Sequence, residues 1–271
     1  MKRCLPLVLV LACLATAGCG SAGSGPAGPG SASSVPVGTD GGVAVQGGTT
    51  AQVQGGTGVP GATRVQGGTG AQAGTGVQAV PRFRGEIVTG RDAVRGKVRY
   101  SWRRGCPVGP VELRLLRVDY WGFDKRVHQG ELIVHRDQAR RILVVLGKLF
   151  KARYPFQRLQ LVDAYQADDD RSMAANNTSA FNCRPVSGST RWSEHAFGRA
   201  LDVNPLRNPY VTRGGRVSPP AGRPYANRAL RAAGMIHAND AVVRAFAAAG
   251  WRWGGYWSGS KDYQHFSSTG R

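Results

Sequence analysis

By its patterning the chain is α+β: an antiparallel sheet with flanking helices, preceded by a disordered tether. Apolar residues alternate at period two in some segments and recur at helical spacing in others. These segments follow one another without the strand–helix–strand rhythm of a parallel sheet. The stretch before residue 81 holds almost nothing that can pack, whereas the remaining 190 or so residues suffice for one globular core.

Lys2 and Arg3 precede an apolar run from Leu5 to Ala17 that ends in small residues before Cys19, the pattern of an export leader over residues 1–19. The run is too short to span a bilayer as a helix of the mature protein. Thr16-Ala17-Gly18-Cys19 resembles the lipobox of bacterial lipoproteins, in which the cysteine is lipidated and becomes the new N-terminus. Thr16 stands where an aliphatic residue is usual, and an ordinary cleaved leader that contains a cysteine is the alternative. The expected location is extracytoplasmic, with the lipid on Cys19 as the only hold on the membrane.

Residues 20–80 are Gly, Ser, Thr, Ala, Val and Gln almost without charge, with a degenerate repeat at 45–49, 53–57 and 65–69. Such a segment cannot bury enough apolar surface to offset its ordering entropy. A β-solenoid would need regular spacing and an aliphatic ladder, which these repeats lack. A coil of about 60 residues averages roughly 40 Å end to end and reaches at most about 200 Å.

Within 81–271, Val111 to Val118 alternates apolar with polar residues as a half-buried strand does, and Gly130 to Val134 reads as another, with Asp119 to Gln129 connecting them. Asp137 is placed to cap a helix reaching Tyr154, in which Ile142, Leu143, Leu146, Leu149 and Phe150 recur at helical spacing and Pro155 is the stop. Leu159 to Tyr165 is a strand candidate. The Asp-, Asn-, Ser- and Gly-rich stretch to Arg191 is a long loop, and long loops in compact domains tend to carry function. Arg199 to Val203 reads as a short strand leaving a turn at Gly198, and 204–224 as irregular. Asn239 or Asp240 caps a helix through Ala249 that Gly250 closes, and 251–257 is a strand-like arm.

Only Cys106 and Cys183 fall in this domain. In an exported chain two such cysteines most simply form one disulfide. Neither has the spacing of a cysteine metal site. The formal charge is +20, and loss of Lys2 and Arg3 with the leader lowers it by two, so nearly all the excess sits on the folded domain. A domain of this charge is drawn to polyanions. Outside a cell those are anionic wall polymers, peptide carboxylates and lipid headgroups; the export leader argues against nucleic acid. A solvated basic surface that only aids solubility is the other reading.

The chemistry concentrates in Ser193-Glu194-His195-Ala196-Phe197-Gly198-Arg199-Ala200-Leu201-Asp202, answered by Asp262-Tyr263-Gln264-His265-Phe266. Two histidines and a carboxylate are the ligand set of a hydrolytic zinc site, which leaves a fourth position for water. His195, Asp202 and His265 are the candidate ligands. Asp262, three residues before His265, is the candidate base, and it would need its pKa raised by desolvation from about 3.9. The tryptophans at 251, 253 and 257 are candidates for excluding water, although such a cluster more often belongs to a core. Glu194 adjoins His195 but would face the other way on a strand, which suits an ion pair. Asp168-Asp169-Asp170 lacks the spacing and glycine of a calcium loop.

These motifs resemble the zinc D-alanyl-D-alanine carboxypeptidases and the related L-alanyl-D-glutamate endolysins. Gly105-Cys106-Pro107, Asn177 to Arg184, Trp253-Gly254-Gly255 and Asp262 to Phe266 are similar to the extracellular bacterial branch of that family. The resemblance covers Cys106 to Phe266 and implies the Hedgehog/D,D-peptidase fold, one zinc ion, peptidoglycan stem peptides as substrate, and the roles given to His195, Asp202, His265 and Asp262. Many relatives carry an arginine in a Tyr-Arg-Ser motif before the first ligand, where this chain has Ala164-Tyr165-Gln166. Arg184 and Arg171 are the candidate replacements, Arg184 preferred, since a positioned cation steadies a developing oxyanion. Ser193 is expected to orient a ligand from outside the metal's own shell. Either terminal D-Ala or an internal stem-peptide bond is compatible with this chemistry. A wall-binding module on the same fold, without turnover, is the rival class.

Overall fold

The computed structural model of the chain describes residues 81–271. The leader, Cys19 and the Gly-rich segment lie outside the described residues. Along the chain come β1 (Gly85–Val88), α1 (Arg91–Arg95), β2 (Leu113–Gly122), β3 (Val127–His135), α2 (Ala139–Lys151), β4 (Pro155–Phe156) and β5 (Arg158–Leu159). They continue with α3 (Asp169–Ala174), β6 (Asn177–Thr178), β7 (Ala200–Asp202), β8 (Tyr210–Val211), β9 (Val217–Ser218), α4 (Ala241–Ala247), β10 (Arg252–Trp253), β11 (Lys261–Asp262) and β12 (His265–Ser267). The architecture is mixed α+β with mostly antiparallel pairing. Instead of one sheet there are several small ones, and β4 on β2 and β5 on β6 run parallel.

The first hairpin is longer than the alternation indicates, because most of Asp119 to Gln129 is strand rather than connection. Its polar residues are cross-strand partners. Arg117 stands opposite Glu131 and pairs with it at 3.2 Å. Asp119, buried, accepts from the backbone N–H and the Nε of Arg84. One face of the β1–β2–β3 sheet packs on α2, whose Ile142, Val145, Leu146, Leu149 and Phe150 are buried. Gln138, not Asp137, is the residue at the N-terminal boundary of α2, and Asp137 is taken up by His135 and Arg199.

Leu159 to Tyr165 is a strand only at its start. The Asp163 carboxylate accepts from the backbone N–H groups of Tyr100 and Ser101 and from the Ser101 hydroxyl, which fixes Val162–Tyr165 as a 3-10 turn. The stretch read as a loop carries α3, capped by the Asp168 carboxylate on the Arg171 N–H at 3.0 Å, so the aspartate run is a helix start. Cys106 and Cys183 form the disulfide across a separation of 77 residues, a closure that chain entropy values at roughly 4 kcal/mol. Asp240 caps α4 on the Val243 N–H.

The small sheet β10–β12–β7 positions two of the candidate ligands. In its register Phe266 pairs with Leu201 and His265 with Asp202. Leu201 and Phe266 belong to the core shared with α2 and α4. Side chains alternate across a strand, so Asp202 and His265 face away from that core. Among the described residues no helix is long and apolar enough to cross a membrane.

Candidate metal centre

His195 sits on a 3-10 turn, Glu194–Phe197, whose start is capped by the Ser193 hydroxyl accepting the His195 N–H at 3.3 Å. Ser193 therefore holds the backbone of His195, not the ring of a ligand. Gly198 ends the turn at φ 64, and a Cβ there would stand 2.6 Å from the His135 nitrogen. Only glycine suits both the left-handed backbone and the close approach to β3. The reversal starts β7, and Asp202 closes it.

Both rings have one nitrogen engaged by a backbone oxygen. His195 Nδ1 is 2.6 Å from the Ala180 carbonyl, which can only accept, so Nδ1 carries the hydrogen. Nε2 is then free; it faces Asp202 Oδ2 at 3.1 Å, outside hydrogen-bond geometry, and has no other partner. His265 Nε2 lies 2.9 Å from the Arg271 backbone oxygen and its Nδ1 3.0 Å from Asp202 Oδ1. All three residues are buried, and one ligand atom from each lies within 4.8 Å of the others. Two imidazoles oriented by carbonyls and one carboxylate form a donor set suited to a zinc-like ion.

The charges follow from this convergence. Burial favours a neutral Asp202, yet His195 and His265 outweigh it and hold the carboxyl well below its usual range. Burial opposes a charged His265, but the hydrogen bond and charge of Asp202 win and raise its pKa to about 9. With no metal bound, a proton thus bridges His265 and Asp202. Burial pushes Asp262 up to about 7 against the pull of His265, with repulsion from Asp202 adding to the rise.

Asp262 comes from the end of β11, opposite Tyr210 on β8, and its Oδ1 is buried without a partner. Gly254 lets this strand approach, since a Cβ there would lie 2.9 Å from that of Asp262. No turn or helical twist links Asp262 to His265; two short strands, β11 and β12, bring them to one cleft. That cleft, about 550 Å³, is lined by all three candidate ligands, Asp262 and Arg184.

Arg184 is paired with Asp169 at 2.7 Å, and its Nε is buried without a partner. Arg171 is exposed and does not line the cleft. Of the three tryptophans only Trp257 reaches the site, its ring 5.5 Å from that of His265; Trp251 and Trp253 are core. Glu194 lies on a turn, not a strand, and lines the cleft, with no ion pair to it among the described residues. Three contributors escape a reading of side-chain motifs. The Ala180 carbonyl is backbone, although the Asn177 to Arg184 motif contains it. Asp169 was hidden in an acidic run, and Tyr210 in a segment without periodicity.

A buried His-Asp-His group that could hold a metal ion thus lies beside the half-buried Asp262, open to a cleft on an α+β scaffold. Residues 187–268, which hold the three candidate ligands and Asp262, match the family model described as D-alanyl-D-alanine carboxypeptidase. The match leaves β1 to β6 and α2 outside it. No curated protein and no solved structure matches the chain.

Proposed function

We propose that the chain is a zinc peptidase, of the Hedgehog/D,D-peptidase fold, that hydrolyses peptidoglycan stem peptides in the manner of a D-alanyl-D-alanine carboxypeptidase. The observation that carries this is the convergence of His195 Nε2, His265 Nδ1 and the Asp202 carboxylate, with the other nitrogen of each ring held by a backbone oxygen. A bound zinc ion supplies Lewis acidity, polarising the scissile carbonyl and acidifying water. Asp262 takes the proton of the attacking water on its unpartnered Oδ1 and delivers it to the departing amine, a role that suits a carboxyl with a raised pKa. Arg184, steadied by Asp169, presents its guanidinium to the developing oxyanion or the substrate carboxylate. Ser193 acts on His195 through the backbone.

The reading extends to the whole chain: a leader over 1–19 with lipid on Cys19, a tether over 20–80, and a peptidase domain over 81–271 working outside the membrane on the wall. The test is zinc content and mass spectrometry of defined muropeptides. The zinc-loaded parent should release D-Ala or cut one stem-peptide bond. His195→Ala and His265→Ala should lose stoichiometric zinc and at least about a thousandfold in turnover. Ligand variants that cleave at the parental rate would overturn the mechanism. A parent that binds sacculi yet cuts no muropeptide would assign the site to recognition instead.

A further inference from the structure

The side of the molecule behind the metal centre has a charge distribution that folding does not explain. On α2 the residues turned away from the core are Arg140, Arg141, Val144, Lys148 and Lys151, all exposed. The face holds four cations and no carboxylate, and none of the four is in an ion pair among the described residues. Lys148 and Lys151 stand in the last turn, where the helix dipole favours cations. Arg140 and Arg141 stand in the first turn, which has no acidic residue and where the dipole disfavours them. At their centre Val144 is 58% exposed, an apolar residue ringed by charge.

The acids of the neighbouring sheet lie elsewhere. Glu86 and Glu131 are tied to Arg117 on the face of β1–β2–β3 turned away from α2. Asp137, beyond the start of α2, is engaged by Arg199 and His135.

Two further observations indicate what this face meets. Leu201 and Phe266 point toward α2, while Asp202 and His265, one residue away on each strand, point to the cleft. An object seated on α2 therefore leaves the cleft free. The described chain also begins along α2: Phe83 packs on Phe150 at 5.5 Å, and Gly85 lies against Leu143. Arg82 on this segment is exposed, while Arg84 is paired with Asp119 of β2.

We propose that the outer face of α2 is a docking surface for an anionic phospholipid bilayer. Its cations meet lipid phosphates, Val144 sits at the headgroup level, and the cleft looks away from the membrane. The apolar face of α2 is spent on the protein core, so the hold is electrostatic: an anionic leaflet attracts a cluster of basic residues, and such a patch supplements a single lipid chain. The proposal is independent of which bond the cleft hydrolyses.

The test uses the full chain with Cys19→Ala, which cannot carry the lipid, in sedimentation with vesicles of phosphatidylcholine alone or with about a third phosphatidylglycerol. The parent should prefer the anionic vesicles, and more so at low salt. Arg140→Gln/Arg141→Gln/Lys148→Gln/Lys151→Gln should weaken that binding by at least about tenfold, since each basic residue near an anionic surface contributes several-fold. Glutamine is a good helix former, so the fold and zinc content should stay parental. Arg95→Gln/Arg99→Gln/Arg104→Gln/Arg126→Gln removes the same charge elsewhere and should change binding by less than about threefold. Equal losses in the two variants would reduce the effect to net charge, and indifference to phosphatidylglycerol would exclude it; either overturns the proposal. So would tighter binding, per phosphate, to soluble poly(glycerol phosphate) that depends on the same four residues.

Discussion

On β7 and β12 the residues facing α2 and α4 differ in kind from those one position along. Inward, Leu201 is fully buried and Phe266 stacks on Phe246 with ring centroids 3.9 Å apart. Outward, at the same depth, Asp202, His265 and the adjoining His195 bring ionisable groups together, with His195 Nε2 lacking a hydrogen bond. One register sets both faces, because a strand pair that fixes Phe266 opposite Leu201 also fixes His265 opposite Asp202. The inner face is complete without any further atom. The outer face is a buried polar cluster of the kind that costs stability unless something satisfies it.

The largest separation of the two faces should come from Asp262→Asn. Turnover should fall by about 10²–10⁴, the range of a lost general base, while zinc stoichiometry stays at the parental value. Stability should move the other way. In the metal-free parent the Asp262 pKa is about 7 against an ordinary 3.8, so the folded state holds a proton that the unfolded state releases. The parent therefore loses stability as pH rises from 3.8 to 7, and the asparagine variant is spared that loss. Denaturant titrations of both metal-free proteins at pH 4 and pH 8 would show the gap opening; a constant gap would mean that Asp262 does not titrate there.

From the other side, Phe266→Ala should destabilise the domain by about 3–5 kcal/mol through its cavity, read as a lower urea midpoint at unchanged slope. All three ligand side chains remain, so zinc should still bind, only more weakly, as the strand that carries His265 loses its backing. Retained affinity with that loss of stability would show the ligand set to be held by its carbonyl partners alone.

The site was legible in the sequence where its function is carried by side chains at fixed spacing. His195, Asp202, His265 and Asp262 are named by their motifs, and the structure gathers them into one cleft. α2 and α4 were legible because amphipathic spacing and an Asp cap at α4 are local signals. What was not legible depends on chain remote in sequence. Asp163 turns an apparent strand into a 3-10 turn by binding Tyr100 and Ser101, and Asp169 acquires meaning only when Arg184 folds back onto it. Strands of two or three residues, such as β8 and β11, are too short to show a period, yet β11 carries Asp262.

The smallest effect expected is a matter of one proton. His265 titrates near 9 in the metal-free protein against an ordinary 6.5, through its bond to Asp202. A raised histidine pKa contributes stability that is fully present below 6.5 and lost as pH rises through 9. A metal ion needs the same nitrogen unprotonated, so its affinity should rise about tenfold per pH unit between pH 7 and 9 while the metal-free domain weakens. Titration calorimetry in buffers of different ionisation enthalpy should count about one proton per zinc from His265 at pH 7.5, beyond whatever the zinc-bound water gives up, and that contribution should vanish above pH 10. The apolar face, Leu201 and Phe266, has nothing to titrate and should leave both trends unchanged in a conservative variant such as Leu201→Met. Zinc affinity that stayed flat from pH 7 to 9 would place the proton elsewhere, and the outer face would then not be the half-satisfied cluster that its geometry describes.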